Sequence, residues 1–140
     1  MLKPSQQRMF LLYQLKKFKV SKSILTQIYR AIIDSVSTFS ITVWYGSASL
    51  HNKNMLEGIV KAASNIIGCE LPSIESIYAT RILRKATTII SDPSHPANHL
   101  FDLHPSGKRF RSVRTRTIRF SNRFYPKAVQ TMSFCTESKE

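Results

Sequence analysis

Residues 21–46, SKSILTQIYRAIIDSVSTFSITVWYG, decide the fold class of this 140-residue chain. Six apolar positions in this stretch step by three and four residues, which is the spacing of one helical face: Leu25, Ile28, Ile32, Val36, Phe39 and Val43. Three more apolar residues widen that face: Ile24, Tyr29 and Ile33. We predict a helix that Ser21 caps, that Gly46 ends, and that lies between other helices. Its second half, FSITVWY, is β-branched and aromatic, so a strand is the alternative there.

The same spacing predicts three further helices. The first covers residues 5–18, the second follows a cap at Ser49 and ends at Gly68, and the third follows Ser73 and stops before Pro93. Their predicted inward faces are Leu11, Leu12, Leu15 and Phe18; Leu56, Ile59, Ala63 and Ile66; and Ile74, Tyr78, Ile82, Ala86 and Ile89. The predicted fold class is all-α: a small helical bundle, then a Pro-rich strap, then a basic, partly irregular tail.

The composition changes at residue 91, which sets the predicted domain limits. Residues 5–90 form the bundle, residues 91–107 form a Pro-rich linker or strap, and residues 108–140 form the basic tail. A short helix near 126–132 is predicted inside this tail. For residues 108–127, apolar spacing fits an amphipathic helix, whereas Val113, Thr115, Thr117 and Ile118 favour a strand. The sequence leaves both alternatives open.

The charge balance indicates a polyanionic partner. The chain has 21 Lys and Arg against 8 Asp and Glu, a net charge of +13. Nucleic acid is the first candidate for such an excess and an acidic membrane surface the second. The chain has no apolar run of about eighteen residues and no signal-peptide pattern. We therefore expect an intracellular protein, nuclear or cytoplasmic and not secreted, without a membrane partner and with Cys69 and Cys135 as reduced thiols.

Arginines and aromatic residues are interleaved through residues 108–127, which hold eight basic residues and no acid. Arginine suits phosphate oxygens, and aromatic faces can stack on unpaired bases. Two cations of the first helix and three of the fourth extend the prediction. The predicted nucleic-acid-binding residues are Lys16, Lys17, Arg81, Arg84, Lys85, Lys108, Arg109, Arg111, Arg114, Arg116, Arg119 and Arg123. The alternative is a solvated charged face whose aromatic residues belong to a small core.

No metal, cofactor or catalytic site is predicted. His95 and His99 have the i, i+4 spacing of zinc ligands, but Pro96 disfavours a helix at His95, and neither a Cys pair nor a carboxylate pair near His104 completes the set. The sequence lacks GxSxG, GxxxxGK[ST] and HExxH. Its eight acids are scattered singly, whereas metal-dependent polymerases and nucleases need clustered carboxylates. We therefore expect no enzyme activity.

Two motifs carry a family resemblance: SVSTFSITVWYG at residues 35–46 and HPANHLFDLHPSGKRFR at residues 95–111. Over about residues 6–132 the chain resembles the carboxy-terminal end of LINE-type, non-LTR retrotransposon reverse transcriptases common in fish genomes. The resemblance implies a thumb-like bundle that grips RNA or an RNA–DNA hybrid by its backbone, next to a polymerase palm. The family is an RNA-directed DNA polymerase, but its F/Y-A-D-D motif is missing here. We therefore expect a non-catalytic fragment of such an element.

The start of the chain carries a second resemblance. QQRMFLLYQLKKF at residues 6–18 is similar to the end of a segment labelled as the N-terminal domain of AlkB homologue 8, in an RNA-modifying family. Methyltransferase or 2-oxoglutarate dioxygenase activity is not implied, because none of the four histidines begins the H-x-D motif of that iron site. A further alternative is an orphaned helical interaction fragment without a ligand, in which the apolar stripe from Leu25 to Val43 drives self-association.

Overall fold

The computed structural model describes the backbone of residues 2–137 and the side chains of residues 7–135. All regular secondary structure in this part is helical, which confirms the predicted all-α class. The only β-type pairing among the described residues is a single antiparallel bridge between Leu103 and Phe110. The chain divides into two compact units: Met1–Ile41 with Ala48–Ile77, and Thr42–Ser47 with Tyr78–Glu140.

Eight α-helices, one π-helical turn and two 3₁₀ turns follow one another along the described residues. In chain order they are α1 (Leu2–Lys17), α2 (Lys22–Ile28), the π turn (Tyr29–Asp34), α3 (Ser35–Ser37), α4 (Ile41–Trp44), a 3₁₀ turn (Tyr45–Ser47), α5 (Leu50–Ile67), α6 (Ile74–Ser91), a second 3₁₀ turn (Asn98–Phe101), α7 (Ile118–Ser121) and α8 (Phe124–Glu137). The last helix includes the predicted segment 126–132 and extends beyond it.

The first unit is built around a core in which α1, α2, the π turn and α5 meet. The buried members of this core are Leu12, Leu25, Tyr29, Ile33, Ile59, Ala63 and Ile67. Leu25, Tyr29 and Ile33 stand four residues apart along α2 and the π turn, and Ile59, Ala63 and Ile67 stand four apart along α5, so each set lies on one helical face. Removal of this surface from water is the main contribution to the stability of the unit.

The long helix predicted over residues 21–46 is interrupted after Ser37, so the prediction of one continuous helix is wrong. Residues 38–40 form a turn in which Ser40 has φ +48°. Helix resumes at Ile41–Trp44, so the preference for helix over strand in this half is correct. Thr38 Oγ1 donates to the Asp34 carbonyl over 2.7 Å, and the Thr38 backbone N–H donates to the same carbonyl over 2.8 Å. Thr87 and Thr88 make the same kind of hydroxyl bond inside α6, which continues past them, so this bond does not end a helix by itself.

The π turn changes which apolar residues of this segment face the core. Leu25, Tyr29, Ile33 and Ser37, four residues apart, are buried. A π turn closes i to i+5 hydrogen bonds, here from the Ser35 N–H to the Arg30 carbonyl, so it holds more residues per turn than an α-helix. A spacing of four therefore stays on one face. The predicted members Phe39 and Val43 are exposed, and so are Leu11 of α1 and Phe18 just after it.

The predicted helix caps are confirmed. Ser21, Ser49 and Ser73 each accept a hydrogen bond from the backbone N–H three residues later, and Gly68 ends α5 at φ +77°. α6 ends at Ser91, before Pro93. α6 also has a cap that the sequence did not indicate: Glu57 Oε1 of α5 accepts from the Ile74 N–H over 2.8 Å. A carboxylate at a helix N-terminus is favourable because it meets unsatisfied N–H groups.

The second unit has buried residues of its own and an ordered strap. Its buried residues include Tyr45, Tyr78, Ile82, Ala86, Ile89, Phe101, Ala128 and Val129. The Tyr45 and Tyr78 rings pack with centroids 4.8 Å apart. Asn98 Nδ2 in the strap donates to the carbonyls of Ile89, Ile90 and Asp92, at 3.0, 3.2 and 3.2 Å. The last carbonyl groups of a helix lack intrahelical partners, so this amide holds the strap against the end of α6.

The free energy of unfolding should fall as the pH rises from about 10 to about 12. The pKa of Tyr29 is raised from 10.0 to about 12. Burial is the largest cause, and the negative charges of Asp34 and Glu57 add to it. The contribution of Tyr29 is fully present below the unfolded pKa, and it is lost as the pH rises through the folded one. Two pKa units correspond to about 2–3 kcal/mol. Urea unfolding at about pH 9 and about pH 11 measures the loss of stability between the two pH values. This loss should be smaller in Tyr29→Phe than in the wild type. Equal losses in the two proteins would contradict the assignment of the pH dependence to Tyr29.

Candidate nucleic-acid interface

The acid-free part of the chain lies entirely in the second unit. Between Asp102 and Glu137 the sequence holds eight Lys and Arg and no Asp or Glu. The seven cations predicted here to bind nucleic acid are all exposed: Lys108, Arg109, Arg111, Arg114, Arg116, Arg119 and Arg123. Only residues 118–121 and the start of α8 are helical in the stretch 108–127. It therefore forms neither an amphipathic helix nor a strand over its length, and its central part is an extended surface segment.

A small hairpin turn anchors the beginning of this segment. The Arg111 N–H donates to the Asp102 carbonyl over 2.8 Å, and the His104 N–H donates to the Arg109 carbonyl over 2.8 Å. Gly107 adopts φ +69° at the tip, a conformation that glycine reaches without steric cost. Phe110 packs edge to face on the buried Phe101, with ring centroids 6.3 Å apart. Backbone pairing and one aromatic anchor thus fix Arg109 and Arg111 while their side chains stay in solvent.

Three predicted cations come together around the start of α8. Arg119 and Arg123 line an open groove of about 460 Å³ with Val43, Ser47, Phe124 and Tyr125. We call this the aromatic groove. Lys85 of α6 places its Nζ 5.1 Å from the centroid of the Phe124 ring, and the Arg123 guanidinium lies 5.6 Å from that of Phe120. Cations over aromatic faces are attracted by the ring quadrupole, which orders these side chains.

A second groove of about 600 Å³ runs between the extended segment and α8. Its lining includes Arg109 and Arg114 on one side and Val129, Gln130 and Phe134 on the other. The mixed character of this lining, with cations, hydroxyls and apolar carbons, suits a ligand that has both charged and flat apolar parts.

The remaining predicted residues do not join the two grooves. Lys16 and Lys17 belong to the first unit, where they line an open pocket of about 430 Å³ with Tyr13, Asn65 and Ile66. Lys17 Nζ lies 5.0 Å from the centroid of the Tyr13 ring. Lys16 Nζ donates to the Asn65 carbonyl over 3.4 Å.

On α6, Arg81 is half-buried, Arg84 is exposed, and neither lines a groove described above. Sequence reasoning missed Val43, because it placed this residue on the inward face of the helix predicted over residues 21–46, and it gave Ser47, just after that helix, no role. No local signal marks them as part of the second unit.

One histidine of the strap, His95, supports the local structure through its side chain. His95 Nδ1 accepts from the Ala97 N–H over 3.1 Å, which closes the turn after Pro96. Among the described residues no three His, Cys, Asp or Glu side chains are close enough to hold a metal ion. In the same part of the chain, no helix has the length and apolar character needed to cross a bilayer.

A comparison with known families finds one match, at the start of the chain. Residues 1–35 match the family model described as "Alkylated DNA repair protein alkB homolog 8, N-terminal". This agrees with the similarity predicted for residues 6–18, and it covers a quarter of the chain, 35 of 140 residues. No curated protein and no solved structure matches the chain.

Proposed function

We propose that this chain binds nucleic acid without catalysing a reaction, and that it grips the phosphate backbone through the Arg-rich surface of its second unit. One observation carries the proposal: residues 103–136 combine eight cations, no acid and exposed arginine side chains on an anchored segment. Such a surface attracts phosphate groups, because no acidic side chain in this stretch offsets the charge of its cations. The motifs at 35–46 and 95–111 support a finer version, in which the chain corresponds to the thumb region of a LINE-type reverse transcriptase and its ligand is RNA or an RNA–DNA hybrid.

Binding to a fluorescently labelled RNA–DNA hybrid, followed by anisotropy at several salt concentrations, tests this proposal. Each neutralised phosphate contributes about 0.9 to the slope of log affinity against log salt. The test variant replaces four exposed cations with Ala: Arg111, Arg114, Arg116 and Arg119. The slope of this variant should therefore be less steep than that of the wild type by about 3 to 4. The matched control replaces the same four residues with Lys. It keeps the charge, so its slope should stay close to that of the wild type. An unchanged slope in the Ala variant would count against this surface.

A second candidate function is self-association through apolar side chains of the first unit. Phe10, Leu11, Tyr13 and Phe18 of the α1 region are exposed, although large apolar side chains usually contribute to a core. If this surface self-associates, the hydrodynamic size should grow with protein concentration even at high salt. A constant monomer size over a wide concentration range would dismiss the candidate.

A further inference from the structure

The aromatic groove offers more than charge to a ligand. Tyr125 is 36% exposed and meets Phe124 edge to face, with ring centroids 5.1 Å apart at an angle of 73°. Lys85 lies over the Phe124 ring, which leaves Tyr125 as the accessible aromatic side chain of the groove. Val43, 65% exposed, adds apolar surface to the same lining. Phosphate contacts require only the cations and do not require this apolar surface.

The cations of the groove are close enough to serve the same ligand. Arg119 and Arg123 belong to the lining itself, and both residues are exposed. No acid occurs between residues 103 and 136 to compete for them. The groove volume of about 460 Å³ lies within the range of roughly 300–1,000 Å³ that is typical of sites for small organic groups. A flat ring with a phosphate on each side fits this combination.

We propose that the aromatic groove binds one unpaired base of a single-stranded nucleic acid. The Tyr125 ring stacks on the base, and Arg119 and Arg123 contact the flanking phosphates. The ligand is single-stranded because bases inside a duplex are already stacked on their neighbours, whereas unpaired bases can stack on aromatic side chains. This inference rests on the proposed nucleic-acid function and adds a second kind of contact, which depends on bases and not on charge.

The test compares two labelled strands of about twelve nucleotides, an oligothymidylate and a strand of the same length that lacks bases. Both carry the same phosphates, so a purely electrostatic surface binds them equally. The wild-type chain should bind the base-bearing strand about tenfold more tightly. Tyr125→Leu keeps an apolar side chain but loses the ring. This substitution should remove the preference, because it weakens the binding of only the base-bearing strand. It should leave the salt slope unchanged.

Two control variants accompany the test, and circular dichroism verifies that each is helical. Tyr125→Phe retains the ring and should restore the preference. Phe18→Leu removes an exposed ring from the first unit and should leave the preference intact. Equal binding of both strands by the wild type, with a steep salt slope, would overturn the base site and leave the proposed function standing. An equal loss of affinity for both strands in Tyr125→Leu would also overturn the base site. Failure to bind either strand or the hybrid would overturn both proposals.

Discussion

Replacing Gly46 with Ala should lower the free energy of unfolding by about 3 kcal/mol, the upper end of the cost of overpacking. A Cβ at this position would overlap the Asn122 carbonyl oxygen and would lie 2.9 Å from the Tyr78 hydroxyl. The Asn122 carbonyl is backbone and sits between α7 and α8, so relief of the clash requires a shift of the chain and not only a rotamer change. The Tyr78 hydroxyl has little room to retreat, because it is buried. Urea unfolding followed by circular dichroism measures the effect.

The matched control for this substitution is Gly58→Ala, which makes the same chemical change in the middle of α5. A Cβ there meets nothing within 4 Å. Glycine in a helix interior is less favourable than alanine by about 1 kcal/mol, so this variant should be more stable than the wild type by about that amount. The two substitutions should therefore have opposite signs. A stability loss of similar size in both would show that the close approach at Gly46 does not determine the result.

Features that depend on neighbours in sequence were predictable. Each of the three serine caps needs only a hydroxyl placed three residues before a backbone N–H, and the glycine end of α5 needs only a residue that tolerates positive φ. The inward face of α6 was also correct, because Ile74, Tyr78, Ile82, Ala86 and Ile89 keep helical spacing without interruption and are all buried. In these segments local propensity and tertiary packing favour the same conformation.

The break after Ser37 was not predictable from apolar spacing. The spacing continues through Phe39 and Val43, and neither Gly nor Pro marks the turn. Residues 42–47 belong to the second unit, where they pack on residues more than thirty positions later in the chain, such as Tyr78 against Tyr45. Apolar spacing within residues 21–46 carries no information about these later partners.

The candidate interface shows the same division between local and long-range information. Composition alone identified the exposed cations of residues 108–127, since charged side chains seldom become buried. It did not identify which cations share a groove. Lys85 and Phe124 are 39 positions apart and meet only because α6 and α8 belong to one unit. Apolar spacing and β-branched residues also could not decide between helix and strand for this segment, and residues 111–117 form no regular secondary structure after the hairpin turn.

Replacing Leu12 with Ala should lower the free energy of unfolding by about 3 kcal/mol, whereas Leu11→Ala should cost less than about 1 kcal/mol. Sequence spacing predicted both leucines on the inward face, yet Leu12 is 0% exposed in the core of the first unit and Leu11 is 44% exposed. The two variants make the same change at adjacent positions of α1, so their helix propensity terms are equal and cancel in the comparison.

The difference between the two leucine variants reports burial directly. Leu12→Ala removes methyl groups that pack in one cluster with Leu25, Ile33 and Ile59, and the cavity left there forfeits both transfer free energy and dispersion contacts. Leu11→Ala removes atoms that are largely in water already. Urea midpoints at equal protein concentration measure both losses. Since domains of this size have a total stability of about 5–15 kcal/mol, the expected loss at Leu12 is a large share of it. Equal losses at the two positions would mean that α1 does not pack through Leu12.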